Sequence, residues 1–148
     1  YKRQHTESPT VEVQRSVRFH VGAAHRQGPR PSMEDRSVVH GELDGNRNVD
    51  LFAVFDGHGS RAEADLASAY LPACVSHELR KIATVNLRPM AVEAMLQEVF
   101  RQTSNAMRSQ GYGVQTGTTA VVALVTRDRL CRPLHCTMIP VVVDLWID

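Results

Sequence analysis

The chain has 148 residues, with 17 Lys plus Arg against 16 Asp plus Glu for a formal charge of +1, and 43% of its residues are hydrophobic. That length and apolar content suit one domain with one core, and the near-neutral balance points away from nucleic acid or a membrane surface as partner. Three cysteines, Cys74, Cys131 and Cys136, are too few and odd in number for a disulfide scaffold. A reducing compartment, cytoplasmic or nuclear, is expected.

Residues 1–15 are polar and charged with Pro9, and read as a flexible lead-in or linker. The opening ten residues have no signal-peptide character, and a first residue of Tyr1 rather than Met implies a piece of something longer. Val17, Phe19 and Val21 alternate with Arg18 and His20, the period of a half-buried strand. Gly28-Pro29-Arg30-Pro31 cannot continue it and forces an extended connection into Ser32-Met33-Glu34-Asp35. A second strand is predicted over 37–43, a turn at Asp44-Gly45-Asn46, and a returning strand over 49–55. Leu51-Phe52-Ala53-Val54-Phe55 is apolar on both faces, as a strand covered on both sides would be. Asp56-Gly57 ends it, and taken alone is an ordinary turn with His58 at the surface. Antiparallel pairing of the two runs sets the start of the first beside the finish of the second, which gathers Glu34, Asp35 and Asp56 at one edge.

From Arg61 the period changes. Ala64, Ala67, Leu71, Val75, Leu79 and Ile82 are spaced by 3, 4, 4, 4 and 3 residues, which makes one helical face apolar, with Pro72 set to kink the helix or start a second segment. A further amphipathic helix is predicted from Pro89 to about Gln110, burying Val92, Met95, Leu96, Val99, Phe100, Thr103 and Met107 and exiting at Gly111. Residues 118–125 form a β-branched apolar run suited to a sheet interior. Strands, then two helices, then strands give an α+β domain of layered sheet and helix. The apolar run 138–147 is broken by Pro140 and Asp144 and is far shorter than the ~20 residues of a membrane-spanning helix.

Three carboxylates held close repel one another unless a cation sits among them, and hard oxygen ligands favour magnesium or manganese. The bare backbone at Gly57 would let its carbonyl approach such an ion. Two ions together clamp a phosphoryl group and lower the pKa of a shared water that attacks phosphorus. The planar fork of Arg30 can bind two phosphate oxygens, and His58 can protonate the leaving alkoxide. The reaction class is metal-assisted hydrolysis of a phosphate monoester.

Gly28 to Asp35 resembles the G-x-R-x-x-M-E-D motif of the type 2C metal-dependent serine/threonine phosphatases, Phe52 to Gly59 resembles their F-x-V-x-D-G-H-G motif, and Gly117-Thr118-Thr119-Ala120 their G-[ST]-T-A strand. The resemblance covers residues 17–130. It implies a four-layer α-β-β-α sandwich, here incomplete, with 16–130 as its N-terminal part and 131–148 a divergent tail. It implies that Asp56 bridges two Mn²⁺ or Mg²⁺ ions and that the Gly57 carbonyl is a ligand. Glu34 and Asp35 would hold metal-bound waters, Arg30 would grip phosphate and His58 would act as general acid on a phosphorylated protein substrate. Arg30 as a loop cation and Glu34 as a turn cap stand as plainer alternatives, and Thr118 and Thr119 are assigned to sheet packing.

Beyond Leu130 the resemblance stops. The family's G-D-S-R strand and later aspartates have no counterpart, Pro133 stands where a hairpin partner should donate hydrogen bonds, and no metal role is carried onto Asp144 or Asp148. Val141 to Val143 still prefers strand, so the tail can replace the missing one; zinc at Cys131, His135 and Cys136 fits no common closed spacing. A catalytically inactive, phosphatase-like regulatory or scaffold protein is the alternative to an enzyme.

Overall fold

The computed structural model describes residues 10–15, 20–82, 89–112, 116–127 and 136–145, with side chains over 20–82, 91–112 and 116–125. The expectations at Val17, Phe19, Cys131, Pro133, His135 and Asp148 lie outside the described residues. In chain order the elements are β1 (Thr10–Arg15), β2 (His20–His25), β3 (Arg36–His40), β4 (Val49–His58), α1 (Ala62–Ile82), α2 (Pro89–Ser109), β5 (Gly117–Arg127) and β6 (Cys136–Leu145). The architecture is α+β: β3-β4-β5-β6 form one antiparallel sheet in that order, and β1 and β2 pair separately.

The hairpin expected from Asp44-Gly45-Asn46 is present, closed by a single 3₁₀ turn over Leu43–Gly45. Glu42, Asp44 and Gly45 all adopt positive φ there, at 51°, 56° and 74°. Two outside contacts hold that strained tip. The buried Asp50 carboxylate accepts the Glu42 amide at 2.9 Å, and the Arg80 guanidinium at the end of α1 pairs with Asp44.

Along β4 the side chains alternate. Val49, Leu51, Ala53 and Phe55 are buried in one core with Ala120, Val122 and Leu124 of β5, under α1 and α2. α1 packs on β3, β4 and β5, and α2 packs on α1 and β6. Every residue predicted for the stripe of α2, from Val92 to Met107, is buried, as are Ala64, Ala67, Leu71, Val75 and Leu79 of α1. α1 runs through Pro72 as one helix, so burial of its apolar face outweighs the backbone bond the proline removes.

The opposite face of the sheet is covered less than the apolar run suggested. Val54 and Val121, paired across β4 and β5, stay 55% and 45% exposed. Residues of β2 line a shared cleft with Phe52, Val54 and Val121 on this face. β1 lies inside the stretch expected to be a flexible lead-in; Val11 and Val13 alternate with Glu12 and Gln14, and β2 supplies the partner that makes the strand. At the far edge β6 pairs with β5 from Thr118↔Leu145 to Arg127↔Cys136. Pro140 sits in this edge strand, where a missing donor is tolerated.

Candidate active site

Register positions the acidic edge. Arg36 lies opposite Phe55, so Asp35 and Glu34 continue past the end of β3 alongside Asp56 and Gly57. Gly57 records how close the approach is: a Cβ there would stand 2.6 Å from the Glu34 carbonyl oxygen and 3.2 Å from that of Ser60. Any side chain at this position would push the two segments apart.

The side chains spread more than the backbones. Asp56 is exposed, in a row with Thr119 of β5. The Glu34 carboxylate accepts the Ser32 hydroxyl at 2.8 Å, a local contact between side chains. Asp35 is half-buried and lines the cleft beside Val54, while its carbonyl accepts a bond from the Arg36 guanidinium. Arg30 is exposed in the loop, its own carbonyl taking the Gln27 side-chain amide at 2.7 Å. Among the described residues no three His, Cys, Asp or Glu side chains stand close enough together to hold a metal ion. The oxygen donors of Asp56, Gly57, Glu34 and Asp35 suit Mg²⁺ or Mn²⁺ in kind, and among the described residues they fall short of a set in number.

His58 ends β4 and pairs with Gly117 at the start of β5. A Cβ on Gly117 would come within 2.8 Å of His58 Nε2, so the imidazole occupies the space a side chain would need. Thr118 is fully buried, as its assignment to packing requires.

Three features escaped the sequence reading. Glu63, in the first turn of α1, is only 1% exposed. It accepts the Ser60 hydroxyl at 2.6 Å and the Thr116 hydroxyl, and Ser60 in turn accepts the Ala62 amide at 3.0 Å. Burial pushes the Glu63 carboxyl up, yet the two hydroxyls and a backbone bond more than offset it and hold the group below the usual carboxylate range. The spacing Ser60-x-x-Glu63 was a readable capping signature. Arg36 forms the second feature: it pairs with Asp65 of α1, which also takes Arg61 at 3.0 Å, and so binds the acidic segment to the helix. The third is Asp144, which the β6 register sets opposite Thr119 and hence in the row of Asp56.

Comparison with known proteins gives a family. The model of protein phosphatase 2C matches residues 19–139. Probable protein phosphatase 1N of Homo sapiens is 32% identical over 127 residues, covering 85% of this chain and 28% of that protein. Probable protein phosphatase 2C 45 of Oryza sativa subsp. japonica is 31% identical over 114 residues, covering 76% of this chain and 38% of that protein. The solved structure of a C. elegans sex-determining protein superposes with a TM-score of 0.52 at 20% identity, over 66% of this chain and 24% of that one, a likeness of fold. The chain thus spans well under half the length of these relatives, and it belongs to the protein phosphatase 2C family.

Proposed function

We propose that the chain contributes the substrate-facing edge of a metal-dependent protein serine/threonine phosphatase, acting on phosphoserine or phosphothreonine monoesters in the cytoplasm or nucleus. Residues 16–130 would be the N-terminal part of its catalytic domain and 131–148 a divergent tail. The observation that supports this reading is the seating of the Glu34 backbone against Gly57, which aligns the segment carrying Arg30, Glu34 and Asp35 with Asp56 and His58.

Each residue then has a task. Arg30, free of the core at the loop surface, orients the phosphate through its paired donors. His58, fixed at the strand end, delivers a proton to the departing serine or threonine oxygen. Asp56 and the Gly57 carbonyl would hold Mn²⁺ or Mg²⁺, with Glu34 and Asp35 ordering nearby water. A bound ion of that kind supplies Lewis acidity and makes a coordinated water easier to deprotonate.

A second reading keeps the phosphate-facing loop without turnover, as a regulatory or scaffold protein. It is favoured by the absence, among the described residues, of a three-ligand acid cluster. Turnover of p-nitrophenyl phosphate or a phosphothreonine peptide, measured with Mn²⁺, with EDTA and in Asp56→Ala, separates the two. Metal-dependent hydrolysis lost in the variant is expected for the enzyme. Phosphopeptide capture without hydrolysis, insensitive to EDTA, would support the scaffold.

A further inference from the structure

The first turn of α1 carries a carboxylate that the proposed chemistry leaves without a task. Glu63 is 1% exposed; its hydrogen-bond partners are the hydroxyls of Ser60 and Thr116, and the charge of His58 adds a smaller favourable interaction. An ionised group so buried persists only when its oxygens are bonded. The bond to Ser60 is local and serves the helix start. The bond to Thr116 is not, since it joins positions 53 residues apart in sequence.

Those two partners bracket His58. Ser60 follows it by two residues in the loop, and Thr116 directly precedes Gly117, whose bare backbone lies under the imidazole, 2.8 Å from Nε2 to the place a Cβ would occupy. One oxygen of Glu63 holds the loop, and the other holds the entry of β5. We propose that Glu63 is a positioning residue for His58: its carboxylate ties the loop after β4 to the start of β5 and thereby fixes the imidazole against Gly117. The role as such rests on reading His58 as the proton donor of the phosphatase site. Helix capping alone would leave the Thr116 bond without consequence for the ring.

The test compares reaction rates of single histidines with diethyl pyrocarbonate, read by peptide mass spectrometry on the 148-residue chain at one pH and without substrate. Exposed His40 and His77 report intrinsic reactivity, and half-buried His25, bonded to Ser37 at 3.0 Å, reports global integrity. In the parent chain His58 should react well below His40 and His77. Thr116→Val, which removes only the hydroxyl, should speed His58 about tenfold, the change expected when a hydrogen bond to an ionised group is lost, and leave His25 unchanged. Glu63→Leu should do the same, and Glu63→Gln, which still bonds both hydroxyls, should stay near the parent. His58 as reactive as His40 in the parent, unchanged in Thr116→Val, or rising only in step with His25 would each overturn the proposal. Should Glu63→Leu lose its helix signal in circular dichroism, Thr116→Val decides alone. Because no turnover is measured, absent phosphatase activity would leave this result standing and would count only against the proposed function.

Discussion

Gly57→Ala is the sharpest probe of how the acidic edge is assembled. The new methyl would meet the Glu34 carbonyl at 2.6 Å, the Ser60 carbonyl at 3.2 Å and Ala64 Cβ at 3.3 Å. Ordinary carbon–oxygen contact begins near ~3.3–3.6 Å, so the Glu34 segment must retreat by roughly 0.7–1 Å. None of the three neighbours is the far end of a flexible side chain that could swing aside. Overpacking of this kind costs about 1–3 kcal/mol, and the upper end applies when backbone must move. Gly57 is not at positive φ, so alanine also returns about 0.4–1 kcal/mol by restricting the unfolded chain. The net loss is about 2 kcal/mol, or a fall of about 4–8 °C in melting temperature for a chain of this size. Gly22→Ala is the matched control: its φ is not positive and an added methyl meets nothing within 4 Å, so its melting temperature should hold or rise slightly. Circular dichroism melts of the two variants beside the parent measure both. Equal melting temperatures for Gly57→Ala and Gly22→Ala would refute the seating of Glu34 on Gly57, and with it the register on which the site depends.

Acid should destabilise the fold. Glu98 is held down to about 2 by bonds from Arg101 and Gln102, and Glu78 is lowered by Lys81 and then Gln102; Asp44, by Arg80, and Glu63 also lie below their usual range. A carboxylate lowered in the folded state adds stability above its unfolded value, and that stability drains away as pH falls through the folded value. Melting temperature should therefore be level above about pH 5 and fall toward about pH 2, and a level or rising profile would contradict these contacts. The open face of the sheet should drive self-association: Val54→Ser with Val121→Ser should lower light scattering while leaving the melt within about 1 kcal/mol of the parent, because both side chains are already about half exposed. Unchanged scattering would place the sticky surface elsewhere.

The helices were readable because a helical period needs only one face to agree. Val92, Met95, Leu96, Val99 and Met107 recur on the side that the sheet must cover, and no distant information enters. The edge holding Asp56 was readable for a similar reason: a hairpin turn at Asp44-Gly45 fixes which residues pair, and pairing carries Glu34 to Gly57. Side-chain direction was harder. Alternation sends neighbours to opposite faces, so the adjacency of Glu34 and Asp35 in sequence does not make their carboxylates meet, and Ser32 captures one of them. β1 was hidden by composition, since Glu12 and Gln14 give it the look of a linker until β2 lies alongside. Glu63 lies off the apolar stripe that marks α1, so periodicity does not single it out, although Ser60 three residues earlier signals a bonded acid.

β6 shows why motif and position are separate kinds of information. Beyond Leu130 the residues depart from the G-D-S-R pattern, yet β6 extends the sheet and the antiparallel ladder sets Asp144 opposite Thr119, which is opposite Asp56. Strands lie about 4.7–4.9 Å apart, so the backbones at Asp56 and Asp144 stand about 10 Å from each other across β5. What selects Asp144 for that row is register alone: a slip of one residue would bring Val143 or Leu145 there instead. A long ladder of pairs resists such a slip, and Pro140 at the edge removes a donor without ending it. The loss of a motif therefore does not by itself remove an acid from this edge of the sheet. Which residue stands in the row of Asp56 is decided by the count of residues from Arg127 to Cys136, and the substitution of one strand sequence for another leaves that count to the connection between them.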